Sequence, residues 1–74
     1  MPNKSFEIIQ TFTGPERSAT VRRAIRTNLI EVVLERNPTN DTPGDVIRIE
    51  PFRMFEDDRL DLADAMYSAL NLIK

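Results

Sequence analysis

Cysteine, histidine and tryptophan are all absent from this chain, and its 74 residues include only two glycines and one tyrosine. Without cysteine, no disulfide and no thiolate site can form. Without histidine, the commonest metal ligand and the usual general base are both missing. Gly14 and Gly44 lie far apart, so no glycine-rich loop is available to cradle a phosphate. No apolar run exceeds three residues, whereas about 20 are needed to span a bilayer. Met1-Pro2-Asn3-Lys4-Ser5 lacks the apolar stretch of a secretory leader, so a cytoplasmic protein with no membrane partner is expected.

These absences bear on stability as well as function. A single domain over residues 1–74 buries a smaller share of its surface than a longer chain does. Domains this small are commonly reinforced by disulfides, a metal or oligomerisation. The sequence excludes the first. The 41% hydrophobic content must therefore supply the core, and a homodimer is the expected reinforcement.

Charge is present in both signs, with a net of −2, but it is unevenly spread. Residues 1–26 carry an excess of about three positive charges and residues 45–74 an excess of about three negative ones. Eight of the ten basic residues are arginine, whose planar fork suits carboxylate or phosphate.

Periodicity then organises the chain. Residues 5–13 read as a strand, with Phe6, Ile8 and Phe12 on one face, Gln10 interrupting them, and Glu7, Ile9, Thr11 and Thr13 on the other. Thr13-Gly14-Pro15-Glu16 has two readings, a capping box that starts a helix or a turn into a second strand. Val21, Ala24, Ile25, Asn28, Leu29 and Val32 fit helical spacing, and the helix is the preferred reading. Asn28 would close it in the left-handed conformation. Residues 29–36 are rich in β-branched side chains and read as a strand. Residues 37–44 hold only turn formers, and residues 45–52 alternate again. Pairing those two strands would set Ile30, Val32 and Leu34 with Ile47 and Ile49, and Glu31 and Glu35 on the face of Arg48. Pro51 marks a strand end or an edge.

Residues 57–73 read as an amphipathic helix. Leu62, Ala63, Met66, Ala69, Leu70 and Ile73 form its stripe, and Asp61, Asp64, Ser68 and Asn71 lie opposite. Asp57 or Asp58 would cap it, with the acidic cluster at the positive end of the helix dipole. The expected fold is therefore α+β, a small β-α-β-β-α domain whose antiparallel sheet carries the C-terminal helix on one face. The runner-up is a four-stranded meander with the same helix.

Candidate sites follow from these placements. The pairs Asp57-Asp58 and Asp61 with Asp64 are explained by capping and solvation, and the chain is too short to enclose a substrate pocket of several hundred Å3. Catalytic residues, a cofactor and a small-molecule substrate are therefore not expected. Asn37, Asn40, Asp41 and Asp45 gather oxygen ligands in one loop, but without the spacing of a calcium site, so no metal is expected either. On the preferred helix, Arg22 and Arg26 share a face with Arg23 alongside and Arg17 one turn away. Such a row would contact phosphates in a salt-dependent way. Phe52, Met54 and Phe55 bring large apolar groups together before the C-terminal helix, and Phe, Met and Arg are enriched at interface centres.

The function expected from the sequence is a non-enzymatic interaction module, a small regulatory or accessory protein that docks to a macromolecular partner or to itself. Arg22, Arg23 and Arg26 would make its electrostatic contacts, and Phe52 and Met54 its apolar ones. The alternative is a nucleic-acid-binding regulator using the segment Arg17–Arg26. Against it stand a sequence pI near 5.0 and aromatics that do not interleave with the arginines.

Overall fold

The computed structural model describes residues 5–52 and 58–74, with residues 58–60 described through their backbone alone. Four strands, β1 (Phe6–Thr13), β2 (Arg17–Ala24), β3 (Ile30–Arg36) and β4 (Asp45–Phe52), are followed by one helix, α1 (Asp58–Leu72). The strands form one antiparallel sheet in the order β1-β2-β3-β4. Broadly, the domain is α+β.

The β-α-β-β-α order is corrected by this arrangement, because residues 17–24 are a strand and not a helix. Gly14-Pro15-Glu16 acts as a turn: the Gly14 N–H donates to the Arg17 carbonyl at 2.9 Å. The chain then runs back along β1 with Phe12 opposite Ala19 and Thr13 opposite Ser18. A strand suits these residues better than a helix. Alternation sends Ala19 and Val21, both fully buried, to the helix-covered side. The intervening Ser18, Thr20 and Arg22 face the opposite side, where each finds a partner: Asn37, Thr11 and Glu31 respectively. Asn28 does adopt the left-handed conformation, with φ 58°, but within the β2–β3 turn. There its N–H donates to the Ala24 carbonyl at 2.7 Å.

Helix α1 packs on β2 and β3. The core comprises Ala19, Val21, Ile30, Val32 and Leu34 from the sheet, and Ala65 and Ala69 from the helix. Ile9, Phe12, Phe52, Leu62, Met66, Leu72 and Ile73 border it. Two alanines at the contact let the helix backbone approach the sheet closely, and this rotates the buried stripe away from the one read from the sequence. Asp61 is buried, whereas Ala63 and Leu70 are exposed. The helix end is seated by Gly14: a Cβ there would lie 2.7 Å from the Ile73 carbonyl oxygen and 2.8 Å from that of Arg17.

Two bulges set the faces. In β1, Ile9 is the extra residue between Ile8, opposite Arg22, and Gln10, opposite Val21. The strand changes parity there, so Ile9 and Phe12 join the core while Phe6 and Ile8 face away from it. In β4, Ile47 is the extra residue between Val46, opposite Glu35, and Arg48, opposite Leu34. The β3–β4 hairpin expected from the sequence is present, but its faces differ. Arg48 lies on the helix side and not with Glu31 and Glu35, while Ile49 pairs with Val33 and not with the core residues. Phe52 sets this parity, because it packs against the core and takes Glu50 and Arg48 to the same side. There Arg48 pairs with Glu50 at 2.8 Å, and the Ser68 hydroxyl donates to Glu50 at 3.3 Å.

Candidate functional site

Side chains on the face of the sheet away from α1 follow from the register. Three rows cross all four strands: Ile8–Arg22–Glu31–Pro51, Thr11–Thr20–Val33–Ile49 and Thr13–Ser18–Glu35–Val46. Phe6, opposite Ala24, stands at one end. Among the described residues no element covers this face. The apolar side chains at its two margins are accordingly exposed, Ile8 by 69%, Val46 by 54% and Ile49 by 45%. At its centre Val33 is only 3% exposed, although it lies outside the core cluster on the helix side.

The polar groups on this face are largely satisfied by one another. The Arg22 Nε donates to Glu31 at 3.0 Å, and its guanidinium lies 3.6 Å over the centre of the Phe6 ring. Both ion-pair partners are mostly buried, with side chains 21% and 20% exposed. Attraction to the ring face adds to the pairing and holds the planar fork flat on the sheet. The Thr11 and Thr20 hydroxyls share a hydrogen bond of 3.2 Å. An open trough of about 490 Å3 runs between Ser5, Phe6, Ile8, Thr20, Arg22, Val33 and Glu35. The surface is thus fairly flat, with apolar margins and a neutralised charge pair near its middle.

Both sheet edges are blunted. β1 carries its bulge at Ile9; β4 carries one at Ile47 and has Pro51, which offers no N–H. Such devices discourage a further strand from adding to an edge. The open face, and not an edge, is the available surface.

The structure scatters the residues singled out by the sequence reading. Arg22 lies on the open face. Arg23, opposite Glu7 and Ile30, points to the helix side, where its Nε is buried without a hydrogen-bond partner among the described residues. Arg26 is exposed in the β2–β3 turn. Arg17 faces Arg36 at the other end of β2. The helical row of arginines does not form, because adjacent strand residues point to opposite faces. Phe52, partly buried, borders the core on the helix side of the sheet and not the open face. Met54, Phe55 and Asp57, one of the two expected caps, lie outside the described residues, as does the side chain of the other, Asp58. The apolar residues of the open face that the sequence reading does not single out are Ile8, Val33, Val46 and Ile49. For Val46 and Ile49 a compositional signal exists: with Ile47 they make β4 more apolar than one short helix can cover.

A second open groove, of about 480 Å3, lies where the β1–β2 turn meets the β3–β4 loop and is lined by Glu16, Arg17, Arg36 and Ile47 among others. Asn37 ties the two segments: its side-chain amide donates to the Gly14 carbonyl at 2.9 Å and its backbone N–H to the Glu16 carbonyl at 2.9 Å. Arg36 already holds Asp45 at 3.6 Å, and Glu16 offsets Arg17, so charge does not accumulate there. No helix among the described residues is long and apolar enough to cross a membrane. Comparison with family models, with curated proteins and with solved structures finds no match for this chain.

Proposed function

We propose that this chain is a non-enzymatic docking module of the cytoplasm and that it binds a protein surface through the open face of its sheet. The observation that supports this reading is the pattern of Ile8, Val46 and Ile49 exposed around a buried Val33, on a sheet whose other face already carries its helix. Exposed apolar groups gathered on one flat face are the usual mark of a protein interface. The Arg22–Glu31 pair near the middle of that face is already neutralised, which leaves Glu35, towards one end of β3, as the carboxylate a partner has to meet. Arg22 is the one arginine of the expected set that belongs to this surface. Arg17, Arg23 and Arg26 do not share this face with it, which favours a protein over a nucleic acid as the partner.

Site-specific photo-crosslinking tests this reading. A photoreactive phenylalanine replaces Ile49 in one variant and Tyr67, 72% exposed on the outer side of the helix, in another. The expected result is a discrete protein adduct from position 49 and little from position 67. Adducts from position 67 alone, or from neither position, would contradict it. An adduct destroyed by nuclease would transfer the reading to nucleic acid.

A further inference from the structure

We infer that the occupant of the open face is a second copy of this chain, packed sheet against sheet about a twofold axis that runs along the strands between β2 and β3. This inference rests on the docking reading above and specifies its partner. A twofold axis in that position lays each β1 over the other copy's β4 and each β2 over the other copy's β3. The row Ile8–Arg22–Glu31–Pro51 then meets its own reverse. Arg22 faces the second copy's Glu31, Glu31 faces the second copy's Arg22, and Ile8 covers Pro51. In the next row Thr20 faces Val33, and Thr11 faces Ile49. A twofold interface requires a surface complementary to itself, and this register supplies one in the central charged row, while the threonines of β1 and β2 meet the apolar side chains of β3 and β4 and Glu35 meets Ser18. Aligned sheets cross at about 30°, so the match is closest near the axis, where Arg22 and Glu31 stand.

Size agrees with the symmetry. Four strands about 4.8 Å apart, each some 26 Å long, make a face of roughly 500 Å2. Two such faces together bury about 1,000 Å2, the lower limit for a specific interface. The Cα trace is only 16 Å thick in its thinnest direction, so the chain presents this face as one broad side of a slab. Pairing would cover the exposed Ile8, Val46 and Ile49 and seal the already buried Val33 between them, the reinforcement that a disulfide-free chain of 74 residues otherwise lacks.

Sedimentation equilibrium of the purified chain, from about 10 μM to 1 mM, tests the inference, since small interfaces associate in this range. The expected mass rises from 8.5 kDa towards twice that value. Ile49→Lys and Ile8→Lys, at exposed positions that should leave folding intact, remain at the monomer mass, and Tyr67→Lys dimerises as the parent does. Arg22→Glu weakens association at least tenfold. The double variant Arg22→Glu/Glu31→Arg restores it, because reversal preserves the pairing both within and between copies. A parent chain that stays monomeric, or a dimer lost in Tyr67→Lys and kept in Ile49→Lys, overturns the inference. If the chain is monomeric but position 49 still crosslinks to a different protein, self-pairing falls and the docking reading stands. If it is monomeric and position 49 yields no adduct, both fall.

Discussion

Replacing Val21 with alanine bears directly on the strand that the sequence reading took for a helix. Val21 is fully buried between β1 and β3 and beneath α1. Removing two methyl groups costs about 1.6 kcal/mol in transfer from water. An unrelaxed void of some 40 Å3 adds about 1 kcal/mol. The total, about 2.5 kcal/mol, is a large part of the roughly 4–11 kcal/mol that a domain of this length commands. Urea unfolding at one fixed protein concentration measures it, since any self-association makes apparent stability concentration-dependent. At a slope near 1 kcal/mol/M the midpoint falls by about 2 M or more. Val46→Ala is the companion variant, because Val46 is 54% exposed, and it should cost less than about 0.5 kcal/mol. The reasoning is refuted if Val21→Ala costs no more than Val46→Ala. That result is what a solvated helix over residues 15–27 would give, where alanine improves helix propensity.

Three further substitutions probe the rest of the packing. Gly14→Ala forces a Cβ to within 2.7 Å of the Ile73 carbonyl oxygen and should destabilise the fold by about 1–3 kcal/mol in thermal or urea unfolding. Ala69→Leu fills a contact that has no free space between α1 and the sheet and should cost about 1–3 kcal/mol, whereas Leu70→Ala, on the exposed side, should cost far less. A double-mutant cycle on Arg22 and Glu31, with alanine at each, should return a coupling of about 0.5–1 kcal/mol, because their pair is mostly shielded from solvent.

Much of this fold is legible in the sequence. The turn formers of residues 37–44 and the alternation around them define the β3–β4 hairpin, and the C-terminal helix declares itself by its spacing. The second strand is legible only as the second choice, within the four-stranded meander that the structure adopts, for a physical reason. Val21, Ala24 and Ile25 satisfy helical spacing by accident, since Ala24 ends β2 and Ile25 lies exposed in the turn. The true signal is the pairing of Ser18, Thr20 and Arg22 with side chains from three other segments, and those contacts exist only after folding. Bulges hide the faces in the same way. One extra residue at Ile9 and another at Ile47 reverse parity, so simple alternation assigns Ile8 to the core and Ile49 to the helix side. The candidate site was half visible: Arg22 was named from its chemistry, while Ile8, Val33, Val46 and Ile49 acquire their role only from the register.

Dilution of the chain, followed through its isoleucine methyl resonances, separates pairing through the open face from any other association, because isoleucines lie on both faces of the sheet. Ile8 and Ile49 stand on the open face, while Ile30 is in the core and Ile73 borders it. Between about 1 mM and 20 μM, a range that covers weak association, the account predicts that Ile8 and Ile49 shift together along one binding curve while Ile30 and Ile73 stay fixed. Concentration-dependent shifts confined to Ile73, or none at Ile8 and Ile49, would contradict it.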